Sequence, residues 1–262
     1  MAANFSLQHQ PFVATFAVIV ACLAAHGTAP GATITLRASK DNTLYQDAEG
    51  DVSNGQGRFL FVGRTGTSGG LPLRRGLIGF DLSSIPAGSI ITDATLSLYM
   101  SRSSPSPAAV SISLHLAAKN WGEGASDAGS PGGLGTLATT GDATWLHNAY
   151  DTSRWTTAGG DFRPTASATT SVNADDRRYA WAGAGLTADV QAWVNNPATN
   201  FGWFIRGDEV TDASAQRFNT RENTANVPQL SVTFTIPEPS VGVLGAAGSV
   251  LAFRRRRGVT QP

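Results

Sequence analysis

Cysteine is almost missing from this chain of 262 residues; the only one is Cys22. It lies within the first 32 residues, so the body of the protein has no disulfide framework, no thiol nucleophile and no thiolate metal ligand. Lysine is nearly as rare, with only Lys40 and Lys119. Residues 1–32 carry no Lys, Arg, Asp or Glu at all. No basic patch with interleaved aromatics occurs, so the usual footprint of a nucleic-acid partner is missing. Beyond residue 32 only His115 and His147 are available as imidazole bases, and there is no Gly-x-Ser-x-Gly elbow.

What is present begins at the two ends. An apolar run from Pro11 to Ala25, followed by small residues up to Ala32, predicts a secretory signal peptide over 1–32, although its first residues lack the usual positive charge. Ala25-His26-Gly27 offers a cleavage site. Ile19-Val20-Ala21-Cys22 also reads as a lipobox, which would make Cys22 a lipidated N-terminus. At the other end stand Pro237-Glu238-Pro239, an apolar run from Ser240 to Phe253, and Arg254 to Arg257. A spanning helix needs roughly 20 apolar residues and this run is shorter; a basic block after it is held on the cytoplasmic side. The three parts in this order resemble the PEP-CTERM sorting signal of Gram-negative bacteria. That resemblance implies an exosortase-type processing enzyme as partner, a transient inner-membrane contact, and export to the cell surface or extracellular matrix. A plain C-terminal anchor, or a buried β-strand followed by a basic tail, is the other reading of the same residues.

Between the ends lie residues 33–236, with 15 basic and 18 acidic side chains and a net charge of −3. Their apolar period is two. Val110, Ile112, Leu114 and Leu116 alternate with Ser111, Ser113 and His115, and the same pattern runs through Ala94–Met100 and Leu230–Ile236. Such segments are strands with one face in a core and one in water. Phe59–Val62 and Leu77–Phe80 are denser and read as central strands. Leu186, Val190, Trp193 and Val194 instead follow helical spacing, ended by Asn195-Asn196-Pro197. Residues 119–185 read as long loops. The expected fold is all-β: a single jelly-roll-type β-sandwich with one short helix, flanked by the signal peptide and by a C-terminal sorting helix over 237–262.

A second resemblance spans the middle. Asp41-Asn42-Thr43-Leu44-Tyr45, Phe61-Val62-Gly63-Arg64, Arg74 to Leu82, Asn200-Phe201-Gly202-Trp203 and Arg217-Phe218-Asn219-Thr220-Arg221-Glu222 occur in an order similar to the DNRLRE domain. That domain is itself similar to carbohydrate-binding modules of the alginate-binding type. The resemblance implies an extracellular β-sandwich associated with polysaccharide and names no reaction.

Sugar rings stack on flat aromatic faces, and uronates accept paired hydrogen bonds from arginine. Trp121, Trp145, Trp155 and Trp181, with Arg154, Arg177 and Arg178, are therefore the glycan-binding candidates, although a core or loop-anchoring role is the first reading of these four tryptophans; Trp193 and Trp203 fit a core. The reading is non-catalytic carbohydrate binding. The alternatives are a structural matrix protein without a specific ligand, and a polysaccharide lyase using His147, Tyr150 and Arg154 or a hydrolase using two carboxylates. His115 lies on the wet side of its strand, a poor place for a base. Asp47, Glu49 and Asp51 present oxygens at alternate positions, and a structural calcium ion is the one cofactor they suggest. They do not match a helix–loop–helix calcium site, since Val52 stands where Gly is required and Arg58 where Glu is. A solvated acidic turn between two strands is the preferred explanation.

Overall fold

The computed structural model describes residues 31–66, 72–104 and 109–237. The predicted leader up to residue 30, the sorting residues Glu238 and Pro239, and the tail lie outside the described residues. In chain order the elements are β1 (Ala32–Tyr45), β2 (Val52–Ser53), β3 (Phe59–Arg64), β4 (Leu73–Phe80), β5 (Ile90–Arg102), β6 (Val110–Leu116), β7 (Thr136–Leu137), β8 (His147–Ala149), β9 (Ser153–Arg154), β10 (Ala168–Val172), β11 (Arg177–Ala182), α1 (Ala184–Asn195), β12 (Trp203–Arg206), β13 (Gln216–Asn219) and β14 (Gln229–Thr235). All the ladders are antiparallel, and the fold is all-β with one helix.

Two strands bend from one wall of the protein to the other. The first half of β1 pairs with β14, through Ala32↔Phe234 to Arg37↔Gln229; after an irregularity at Ala38–Lys40 its second half pairs with β4. Strand β3 likewise pairs with β13 through residues 59–62, then with β4 through Gly63 and Arg64. Gly63 makes that corner at φ 110°, and a Cβ there would lie 3.0 Å from the Ser214 carbonyl, so glycine is required. Pairing thus closes into a barrel-like circuit, β1-β14-β5-β13-β3-β4 and back to β1. The extra strands extend it: β11 on β5, and β12, β6 and β10 beyond β4.

The front wall (β11, β5, β13, β14) and the back wall (β10, β6, β12, β4) enclose the main core. Leu96, Leu98, Met100, Trp181, Phe218, Leu230 and Val232 meet Ile78, Ile112, Leu114, Trp203 and Ile205 there. Helix α1 has no side-chain N-cap; Leu186, Val190, Trp193 and Val194 hold it by burial, as their spacing predicts. Trp193 and Trp203 pack with ring centroids 4.4 Å apart.

The β4 and β12 part of the back wall is buried on both faces. Leu44, Leu77 and Phe204 point outward into a second apolar cluster with Trp121, Trp145 and Trp155. The segment from Ala117 to Phe162 forms this outer layer. Here the structure corrects the sequence reading: 119–185 is not simply loop, because it supplies β10, β11 and a packed third layer. Burial on both sides is why Leu77–Phe80 and Trp203–Ile205 lack alternation. The front wall keeps a wet outer face, so β5 and β14 alternate cleanly.

Candidate binding site

The four loop tryptophans do not form an exposed strip. Relative exposures are 3% for Trp121, 7% for Trp145, 6% for Trp155 and 0% for Trp181. Their expected role in stacking sugar is corrected accordingly. Three fill the outer apolar layer, where burying rings that flat gains more than exposing them. Indole Nε1 donates to Phe201 O from Trp121 at 2.8 Å, to Thr144 O from Trp155 at 2.9 Å and to Ile112 O from Trp181 at 2.8 Å. Arg75 stacks 4.8 Å from the Trp145 ring centroid and forms paired bonds with Glu209 at 2.7 and 2.9 Å. Arg206 joins the same carboxylate at 2.8 Å. Glu209 is half-desolvated, which opposes its charge, but the two guanidiniums win and hold it down to about 2.

Other candidates are placed as follows. Arg154 sits exposed in the small β8–β9 hairpin, whereas Arg177 and Arg178 lie exposed on β11 of the front wall, so the structure does not unite them. His147 and Tyr150 do meet, with ring centroids 5.2 Å apart, but His147 is buried and its Nδ1 bonds Gly50 O and Thr144 Oγ1, both at 3.1 Å. His115 is buried too, contrary to its expected wet placement, because the outer layer covers its side of β6; its ring bonds Ser113 Oγ and Arg163 O. Burial lowers its pKa first, with the Arg206 charge adding to that. Asp47 spends its carboxylate on the backbone N–H groups of Glu49 (3.3 Å) and Asp51 (2.9 Å), the pattern of an acidic turn. Among the described residues no group of three or more His, Cys, Asp or Glu side chains is placed to hold a metal ion, and the Asp47 bonds fit the solvated-turn reading of Asp47, Glu49 and Asp51.

A concavity lies instead at the end of β5, a cleft of about 370 Å³. Phe61, Pro131, Ala213 and Ala215 give it apolar walls, and Arg74, Arg102 and Arg217 give it charge; among the described residues no carboxylate lines it. Arg74 is a buried inner wall, its Nε donating to Gly133 O at 3.0 Å with the guanidinium over the Tyr45 ring. Arg217 lies 4.0 Å over the Phe59 ring and is pinned to Ser101 Oγ at 3.0 Å. Burial, and then the neighbouring Arg102 charge, lower the pKa of Arg217; Asp176 partly offsets them. Two cations held against one another in this way are relieved by an anion between them. The half-exposed face of Tyr99, Ser101 and Arg178 runs on from this cleft along β5 and β11. The sequence offers one signal for it, the alternation that puts Tyr99 and Ser101 outward. Nothing local in sequence joins Phe61, Arg102 and Arg217.

The motif residues Asp41 and Arg221 also converge, but inside. Asp41 Oδ2 accepts the Arg221 N–H at 2.9 Å, and the Arg221 guanidinium makes a paired contact with Glu123. Glu222 Oε1 lies 2.8 Å from Arg221 Nε, yet that N–H is aimed at Glu123 and neither Glu222 oxygen accepts a well-aligned bond. Asp41 Oδ1 is buried without a partner. Burial, then the Glu222 charge, push Asp41 well above its usual 3.8; burial also raises Glu222 above 4.5. Both groups bind a proton more tightly folded than unfolded. The stability they contribute is therefore complete below about pH 4 and declines as pH rises through their folded values. Asp41→Asn is expected to reduce the fall in thermal midpoint between about pH 5 and about pH 8. An unchanged slope would mean that Asp41 is ionised throughout.

No family model matches the chain, and no curated protein aligns with it significantly.

Proposed function

We propose that the protein is an exported, non-catalytic carbohydrate-binding protein of the cell surface or exopolysaccharide matrix, and that the cleft at the end of β5 takes an acidic polysaccharide. In this reading residues 1–32 are a signal peptide and 237–262 a PEP-CTERM-type sorting signal cut by an exosortase-type enzyme. The domain between them is a jelly-roll-related β-sandwich of the DNRLRE kind. The observation that carries the ligand class is the pair Arg102 and Arg217 in a cleft that no carboxylate lines among the described residues. Arginine forks match uronate carboxylates.

Affinity electrophoresis in gels containing alginate, or a neutral glucan, tests this. Retardation is expected in alginate only, weakening as salt rises because the contact is ionic. Arg102→Ala and Arg217→Ala are each expected to weaken binding about tenfold, the scale of one charged hydrogen bond. No retardation by either polymer would favour a structural matrix protein. Newly formed unsaturated or reducing ends would favour the lyase or hydrolase.

A further inference from the structure

Ser113 stands in the middle of a row that crosses three strands of the back wall. Thr169 of β10 pairs with it on one side and Arg206 of β12 on the other, so the three share the outer face. Thr169 is exposed, and Ser113 and Arg206 are partly so. Two residues along β6, the buried His115 turns to the same face. Its Nε2 lies 2.9 Å from Ser113 Oγ, and its Nδ1 lies 3.0 Å from Arg163 O. A carbonyl can only accept, so Nδ1 carries the ring proton and the Nε2 lone pair receives the Ser113 hydroxyl. Arg206 O, at 3.5 Å, is too distant to compete for that hydroxyl. Phe162 packs edge-on against the imidazole and limits its rotation. A nucleophile, a base and a group that orients the base are thus joined in a chain of hydrogen bonds. None of these residues lines the cleft.

We propose that Ser113 is an activated nucleophile that captures an acyl group from an activated ester, with His115 as its general base. Ser113 Oγ attacks the ester carbonyl carbon and a new C–O bond forms. The hydroxyl proton passes to His115 Nε2. The bond to the leaving oxygen breaks, and that oxygen departs with the proton taken from Nε2 or from water. The product is an O-acyl serine, and no electrons are gained or lost. Arg206 and Thr169, on either side of Ser113, put a cation and a hydroxyl beside the developing oxyanion. Burial, then the Arg206 charge, hold the imidazole below its ordinary 6.5, so it is neutral and able to take the proton at pH 7. The acceptor is the protein itself, so this is a modification site separate from the polysaccharide cleft, and it stands whether or not the cleft binds.

Incubation of the folded full chain with p-nitrophenyl acetate, then acid quench and peptide mapping, tests the proposal. One acetyl ester is expected on the peptide carrying Ser113, formed about 100-fold faster than on any other hydroxyl, the scale of general-base assistance. Ser113→Ala, a partly exposed position that tolerates the change, should lose it. Ser113→Cys offers a better nucleophile to the same imidazole and should be labelled at least as fast. The rate in the unmodified protein should level off once His115 is neutral, with its half-point below pH 6.5; of the charges that face the ring, Arg206 lowers that value and Glu209 raises it. Acetyl recovered only on Lys40, Lys119 or the N-terminus overturns the proposal. So does a Ser113 rate that goes on rising with hydroxide above about pH 8, since His115 is then not the base.

Discussion

Asp189→Ala is expected to lose about 3–5 kcal/mol, because it removes one partner of a buried charged network. Asp189 projects from α1 with its side chain 2% exposed. Its Oδ1 accepts Arg163 Nη2 at 2.8 Å; its Oδ2 accepts Trp203 Nε1 at 2.9 Å and the Ser167 hydroxyl. One carboxylate therefore ties the helix to β12 and to the segment entering β10. Arg163 is partly exposed and regains water when the carboxylate is lost. The Trp203 indole and the Ser167 hydroxyl do not, and each buried unmade bond costs about 1–3 kcal/mol. Thermal unfolding should show a midpoint lowered by on the order of 10 °C for a domain of this size. A loss below about 1 kcal/mol would show that water enters and replaces the carboxylate.

The second large effect is expected from Trp181→Ala, at about 3–5 kcal/mol. The ring is fully buried between β5 and Phe218, with centroids 6.0 Å apart, and its Nε1 bonds Ile112 O across the core. Removing it leaves a cavity and takes the indole hydrogen bond from the Ile112 carbonyl. Denaturant titration gives the loss directly. Polysaccharide retardation, measured below the lowered midpoint, should stay within about twofold of the unmodified protein, since the energy of Trp181 goes into the core. The reverse pattern, intact stability with lost binding, would return Trp181 to the ligand site.

The contrast explains which parts of the molecule were legible in sequence. Where one face of a strand meets water, the chain writes its own geometry: Leu96, Leu98 and Met100 alternate, and β5 is read correctly. Helix α1 is equally plain, because four apolar residues share one face. Where a third layer covers a wall, the record blurs. His115 alternates with Ile112 and Leu114 and looks wet, yet the segment through Phe162 covers it, with ring centroids 5.5 Å apart. The tryptophans failed for a related reason. Composition places them in a loop-rich stretch, but nothing in a local window says that the stretch folds back over Leu77 and Phe204. Strands β10 and β11 are polar on one side and short, and so pass for loop. The cleft was hidden most completely, since Phe61, Arg102 and Arg217 come together only through the β3–β13–β5 register. The Asp41–Arg221 contact is the opposite case. Its residues stood out as motif pieces, and what the structure adds is that they pin the excursion between β13 and β14 to β1.

The register of the terminal strands gives the domain a direction. Ala32 pairs with Phe234, and Thr235 pairs with Ile90, so chain entry and chain exit share one pole with the first residue of β5. The cleft residue Arg102 is the last residue of that same strand, roughly 40 Å away at about 3.3 Å per residue. A domain tethered through either end therefore stands on one pole and offers its arginines at the other, at full reach from the point of attachment. Lengthening the linker at its base would change how far the head travels and leave unchanged which end faces outward.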